Sequence, residues 1–249
     1  MRWYGAAIGL ALCALARAGA GEAQSLWDDP AFAFYRQAVE ALEAKDYARA
    51  DTLAAEAIKA YPDHLLAHYL RGQAALAQSR WDDAAAALQR VVALYPASFA
   101  AQRDLATALQ QAGRVDEATR AYEAALNIRP DNEEAQLRLA FLLISAKQPD
   151  KARPLLQGLA DKGTRIADVY TALARMAYEK DDFAAAEQAF VKAVAIQDDG
   201  RTWFNLGVVR VRRDDLQGAL QAFERAAQHP GTKDQAAKEI EKVKAALKK

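Results

Sequence analysis

The sequence predicts an all-α fold of six stacked helix pairs closed by a single C-terminal helix. Three observations carry this. Pro62, Pro96 and Pro130 stand 34 residues apart, each at the end of an apolar-periodic segment, and that period is the length of a two-helix unit. Small residues recur in the same phase: Gly72, Ala106, Ala140, Ala174 and Gly207 in one slot, and Ala50, Ala84, Ala118, Ala152, Ala186 and Ala219 in another. Two helices cross closely only where both present little side chain, with large residues filling the space alongside. Acidic residues also recur where helices should begin, as helix N-termini favour.

In order along the chain, residues 24–30 form a lead-in and the repeats occupy 31–64, 65–98, 99–132, 133–166, 167–199 and 200–233. The first keeps Ala38, Ala50, Ala57 and Pro62. The second keeps Gly72, Ala84, Leu88 and Pro96. The third keeps Leu105, Ala106, Ala118, Tyr122 and Pro130. The fourth is the most divergent: it keeps Leu139, Ala140 and Ala152, lacks the closing proline, and carries Pro154 inside its second helix. A proline there removes a ladder hydrogen bond, so a weakened or bent helix is expected. The fifth has Tyr170, Leu173, Ala174, Ala186 and Phe190, and the sixth has Trp203, Leu206, Gly207, Ala219 and Phe223. An aromatic starts several second helices (Tyr47, Trp81, Phe183). Asp29-Pro30, Asp63, Asp131, Asp182 and Asp215 are the expected helix starts.

This pattern of aromatic, Leu-Gly, Ala-x3-Phe and Pro resembles the tetratricopeptide-repeat (TPR) family over residues 31–233. The resemblance implies a right-handed superhelical solenoid of six helix pairs whose first helices line a concave groove for a protein or peptide. The rest of the chain, 234–249, is expected to be the capping helix that a terminal repeat requires. Ile240, Val243 and Leu247 give it a narrow apolar stripe, and the six lysines against three acids of 232–249 leave a basic tail as the alternative.

Residues 1–23 have the layout of a secretory signal peptide. Arg2 supplies the charge, Gly5 to Ala16 the apolar run, and Ala18 to Ala23 the small residues for cleavage after Ala23 or, alternatively, Ala20. The run stops at Arg17, short of the roughly 20 residues a membrane-spanning helix needs, although an uncleaved anchor is the alternative. Leu12 before Cys13 is unsuited to lipid attachment. Cleavage after Ala23 removes Arg2, Arg17 and Glu22, leaving 31 basic and 32 acidic residues and no cysteine. Disulfides are then excluded, and so is the basic excess of a nucleic-acid binder. A periplasmic or secreted location is expected, with any membrane association only indirect, through partners.

No catalytic constellation is present, so no enzyme, cofactor or small-molecule substrate is expected. His64 and His68 share a helical spacing, but no Glu sits beside them, His68 occupies the repeat's aromatic packing slot, and zinc needs three or four ligands. No phosphate loop or nucleophile elbow occurs.

The resemblance further implies that positions 2, 5, 9, 12 and 13 of each repeat face the groove. Positions 5 and 9 here are Tyr35 and Val39, Tyr69 and Gln73, Arg103 and Thr107, Leu137 and Phe141, Thr171 and Arg175, Phe204 and Val208. The candidate binding residues are Tyr35, Tyr69, Gln73, Arg103, Thr107, Leu137, Phe141, Arg175 and Phe204; aromatics and arginines are the types enriched at binding hot spots. Two uses of Tyr35, Tyr69 and Phe204 stay open: contact with a ligand, or packing between neighbouring first helices. Arg103 and Arg175 suit packing less well, because a buried unpaired guanidinium is costly, unless Asp104 and Glu179 pair with them. The Lys/Asn clamp by which some relatives hold a C-terminal carboxylate is missing, since Tyr35 and Val39 occupy its first-repeat positions. The function expected is a non-catalytic adaptor or scaffold in a cell-envelope assembly; the alternative is a chaperone-like holder of exported clients.

Overall fold

A computed structural model describes residues 29–248. Among them are thirteen helices: α1 (Pro30–Glu43), α2 (Tyr47–Ala60), α3 (Leu65–Ala77), α4 (Trp81–Leu94), α5 (Phe99–Gln111), α6 (Val115–Ile128), α7 (Glu133–Ser145), α8 (Pro149–Asp161), α9 (Ala167–Tyr178), α10 (Phe183–Ile196), α11 (Gly200–Arg212), α12 (Leu216–Ala226) and α13 (Lys233–Ala246). They make six pairs and a final helix. The expectations about the signal peptide and Cys13 lie outside the described residues. None of the described helices is long and apolar enough to cross a membrane.

The chain divides into two compact units, and the division falls inside α7, between Leu142 and Leu143. In the first unit each helix from α1 to α5 packs on the next, and α1 also meets α3. In the second, each helix from α8 to α12 packs on its successor.

The small-residue slots work sterically. Ala50, Ala84, Ala118, Ala152, Ala186 and Ala219 are all fully buried. A Cβ added to Gly72 would stand 2.7 Å from Leu88 Cγ, and one added to Gly207 would stand 2.6 Å from Phe223 Cε1. Glycine is therefore required there by close approach rather than by backbone conformation. The large partners, Leu88, Tyr122, Leu156, Phe190 and Phe223, are sealed in the interior and fill the space beside each crossing.

The turns within pairs share one device. Lys45, Ser79, Gly113, Lys147, Asp181 and Asp214 each adopt positive φ, between 56° and 76°. A left-handed residue ends the first helix of a pair; at five of the six it is not glycine.

Two expected helix starts shift by one residue. His64, not Asp63, caps α3, its Nδ1 accepting from the Ala67 amide at 3.2 Å, while Asp63 pairs with Arg90. Asn132, not Asp131, accepts from the Ala135 amide at 2.8 Å. Asp29, Asp182 and Asp215 cap α1, α10 and α12 as expected. Pro154 does not interrupt α8, which runs on to Asp161. The carbonyl it leaves without a donor belongs to Asp150, an exposed residue that water can reach.

α13 covers the last pair. Ala236 and Val243 are buried in one cluster with Ala219, Phe223 and Ala226, and Ile240 and Leu247 pack against it. Thr232 anchors its start by donating to the Ala226 carbonyl at 2.6 Å. The apolar stripe thus packs as a cap would.

Candidate functional site

In the first unit the polar groove candidates converge on one buried carboxylate. Asp104, on α5, is only 7% exposed. Its Oδ2 accepts from the Tyr69 hydroxyl at 2.9 Å and from Gln73 Nε2 at 2.6 Å, both on α3. Its Oδ1 accepts from Arg103 Nε and Nη2 at 2.9 and 2.7 Å. A carboxylate this buried is tolerable only with charge and hydrogen bonds compensating it, and here it has both. Burial first, then the charge of Asp104 and the bond to it, raise the Tyr69 pKa. Burial works against the Arg103 cation, but Asp104 more than offsets it and the pKa ends above the ordinary value.

The neighbouring candidates are also engaged. The Arg103 guanidinium lies 5.9 Å from the Phe99 ring centre, with Arg129 at 4.9 Å from the same ring. Thr107 Oγ1 donates to the Arg103 carbonyl and sits 3.2 Å from the Tyr122 hydroxyl. Tyr35 stacks at 5.3 Å on the His64 ring, and burial raises its pKa. Leu137 and Phe141 are half-buried on α7.

The second unit is different. Phe204 packs on Phe223 at 5.3 Å between ring centres. Arg175 is exposed and has no ion pair among the described residues, Glu179 included. It lines a cavity of about 190 Å³ between α9 and α11 with Tyr178, Glu179, Phe190, Asn205 and Val208. A larger cleft of about 480 Å³ lies among α10, α11 and α12, but its arginines are committed. Arg210 bonds Glu187 at 2.9 Å and the Gly218 carbonyl at 3.0 Å, and Arg225 lies over Trp203. The smaller cavity is the better candidate because its cation is free.

The structure thus brings Tyr69, Gln73, Arg103 and Thr107 together, places Tyr35 and Phe204 in separate aromatic contacts, and sets Arg175 at a cavity. Sequence reasoning missed Asp104 as the hub and Asn205 as a cavity residue. It also missed the bond that His68 makes. His68 Nε2 donates to the Pro62 carbonyl at 2.8 Å, as Gln102 and Gln136 donate to those of Pro96 and Pro130. Tyr170 does the same to Thr164 O, and Trp203 reaches the Asp198 carboxylate. From the second repeat to the sixth, one position clips the preceding loop. The signal was visible: two glutamines 34 residues apart, each six residues after a closing proline. Both histidines of the 64/68 pair are occupied in helix capping and clipping. No group of three or more His, Cys, Asp or Glu suited to a metal occurs among the described residues.

Antiparallel helix pairs at a 34-residue period, with small residues at each crossing, define a repeat-type binding module. Sequence models described as tetratricopeptide repeat match residues 35–99 and 171–236, and a further one matches 109–176. The chain belongs to the tetratricopeptide repeat family, whose repeats are non-catalytic modules that bind proteins and peptides. Among solved structures, YrrB, described as a TPR protein with an unusual peptide-binding site, is 15% identical, with a TM-score of 0.65 over 76% of this chain and 97% of its own. PilF of Pseudomonas aeruginosa is 14% identical, with a TM-score of 0.61 over 88% and 98%. MamA of Desulfovibrio magneticus RS-1, from residue 41 onward, is 21% identical, with a TM-score of 0.59 over 66% and 93%. At these identities the likeness is one of fold. No curated protein sequence matches the chain.

Proposed function

We propose that this protein is an exported adaptor or scaffold in a cell-envelope assembly, binding a peptide or helix of its partner along the faces of its first helices. One observation carries the binding half of this reading. All twelve residues at the fifth and ninth positions of the first helices are half-buried or exposed, and none is sealed, whereas the small-residue slots of the same helices are closed. A row of partly exposed aromatic, aliphatic and arginine side chains is what a peptide-binding face presents. The peptide-binding site in the description of YrrB is consistent with such a use of the fold. Export rests on the signal-peptide layout of residues 1–23.

Crosslinking with mass spectrometry in the native cell envelope tests the reading. Crosslinks from one or two stoichiometric partners to α1, α3, α5, α7, α9 or α11 are expected; crosslinks confined to second helices would refute the face assignment. Intact mass tests export separately: a soluble form retaining Met1 to Ala23 would remove the periplasmic claim.

A further inference from the structure

We infer that the cavity between α9 and α11 is an acceptor for an acidic side chain, aspartate or glutamate, within a bound polypeptide. This rests on the peptide-binding reading above and names the chemistry of one part of that face. The argument is one of charge left uncompensated. Arg175 is an exposed guanidinium at the cavity edge without an ion pair among the described residues. Asn205, across the cavity on α11, has an amide with no hydrogen bond from its side chain among them. The floor is apolar, from Tyr178, Phe190 and Val208. Helical spacing puts Arg201 and Arg212 on the same stripe of α11 as Asn205 and Val208. Both are exposed, and neither forms an ion pair among the described residues. Arg175 and Glu179 are the charged residues lining the cavity, and Arg201 and Arg212 add positive charge along the α11 stripe, against Asp168 on the Arg175 stripe of α9.

A guanidinium presents its donors as a fork that matches a carboxylate, and the adjacent amide adds another donor. The apolar floor would hold the methylene stem of glutamate or a neighbouring aliphatic residue while excluding water, which strengthens the charge pair. Glu179 sets a direction. It lies one turn beyond Arg175 on the same helix and repels a second anion, so one acid seated toward Asn205 suits the site better than an acidic run.

The test uses the protein from Gln24 onward and a bead-bound library of random decapeptides, N-acetylated and attached through the C-terminus, so that side chains are the only carboxylates. Selected peptides are expected to share one Asp or Glu at a fixed distance from an aliphatic residue. Changing that acid to its amide should weaken binding by about tenfold, the share of a well-formed charge-assisted contact. Arg175→Gln should abolish the acid preference, and Glu179→Gln should tighten binding. Peptides selected without any acid preference, or a preference that survives Arg175→Gln, would overturn this inference and leave the peptide-binding reading standing. A library that yields no specific peptide would overturn both. A companion library with free C-termini separates the sources of carboxylate: selection there of peptides ending in any residue, with their amidated forms inactive, would assign the site to a chain terminus and overturn the side-chain assignment.

Discussion

The two units solve the same packing problem in the same way and then use their faces oppositely. In the first, Tyr69, Gln73 and Arg103 are spent on Asp104, so these candidate binding groups are satisfied from within. In the second, Arg175, Arg201 and Arg212 form no ion pair among the described residues. The difference comes from a single helical position. Where an acid sits next to the face and is buried, it captures its neighbours; where none does, the cations are left for something outside. Repeat position alone does not say which outcome a residue meets.

The largest effect should follow from breaking the hub. Asp104→Ala leaves the Tyr69 hydroxyl, the Gln73 amide and the half-buried Arg103 cation without their acceptor. Removing one partner of a buried pair costs about 3–5 kcal/mol, and partial hydration of Arg103, whose side chain is 30% exposed, reduces that to about 2–3 kcal/mol by the same reasoning. Urea unfolding of the wild type and variant measures it. A loss under about 0.5 kcal/mol, the range of a neutral surface change, would mean that the first unit's face is not internally bound and the comparison fails. Arg103→Glu sets two carboxylates side by side and should also destabilise, so it reports on folding rather than on binding.

How much of this was legible follows from what each feature depends on. The helix pairs were legible because steric demand at a crossing admits only small residues, and Gly72 or Gly207 declares it without reference to anything else. The helix caps were legible to within one residue, since Asp63 and Asp131 stand next to the side chains that actually cap, His64 and Asn132. The hub was not legible. Asp104 looks like an ordinary polar residue in a helix, and its role depends on α3 bringing Tyr69 and Gln73 to it from more than thirty residues away. The free state of Arg175 was equally hidden, because Glu179 stands at a spacing that permits a pair the structure does not form. The left-handed turn residues escaped because three of the six, Lys45, Ser79 and Lys147, carry side chains that do not advertise positive φ.

A second set of variants should show that the units agree in their interiors. Gly72→Ala and Gly207→Ala each push a methyl into a sealed neighbour, Leu88 or Phe223. Overpacking typically costs about 1–3 kcal/mol, and the better helix propensity of alanine returns up to about 1 kcal/mol. A net loss of about 1–2 kcal/mol is expected for each by urea unfolding. If only one is costly, the difference between the units extends to their cores.

Acid should separate the units more gently. His64 caps α3 through an unprotonated Nδ1, and burial, the largest influence, lowers its pKa. The unfolded chain then binds the proton more readily, so this contribution to stability is complete above the ordinary histidine value of about 6.5 and is lost as pH falls through the lower folded value. The caps of α10, α11 and α12 are aspartates rather than histidines. Hydrogen exchange at pH 7.5 and pH 5 should show α3 opening faster at the lower pH by an amount worth about 1 kcal/mol, the scale of an N-cap. His64→Asn, which keeps an acceptor but cannot titrate, should remove the effect. If the asparagine variant shows the same acid response, the α3 cap is not its source.

The smallest expected change in stability is also the sharpest test of the comparison. Arg175→Gln removes a cation that holds nothing inside the protein, so unfolding should move by less than about 0.5 kcal/mol, while Arg103→Gln, which strips the charge partner from Asp104, should cost at least about 1.5 kcal/mol as a lost charged hydrogen-bond pair. The two substitutions are chemically identical, and both residues are candidate binding positions of the repeat frame. A gap between them therefore measures how far Asp104 has drawn one arginine into the structure. Equal costs would mean that Arg175 is engaged in solution by a group such as Glu179, and the second unit would then be as internally committed as the first.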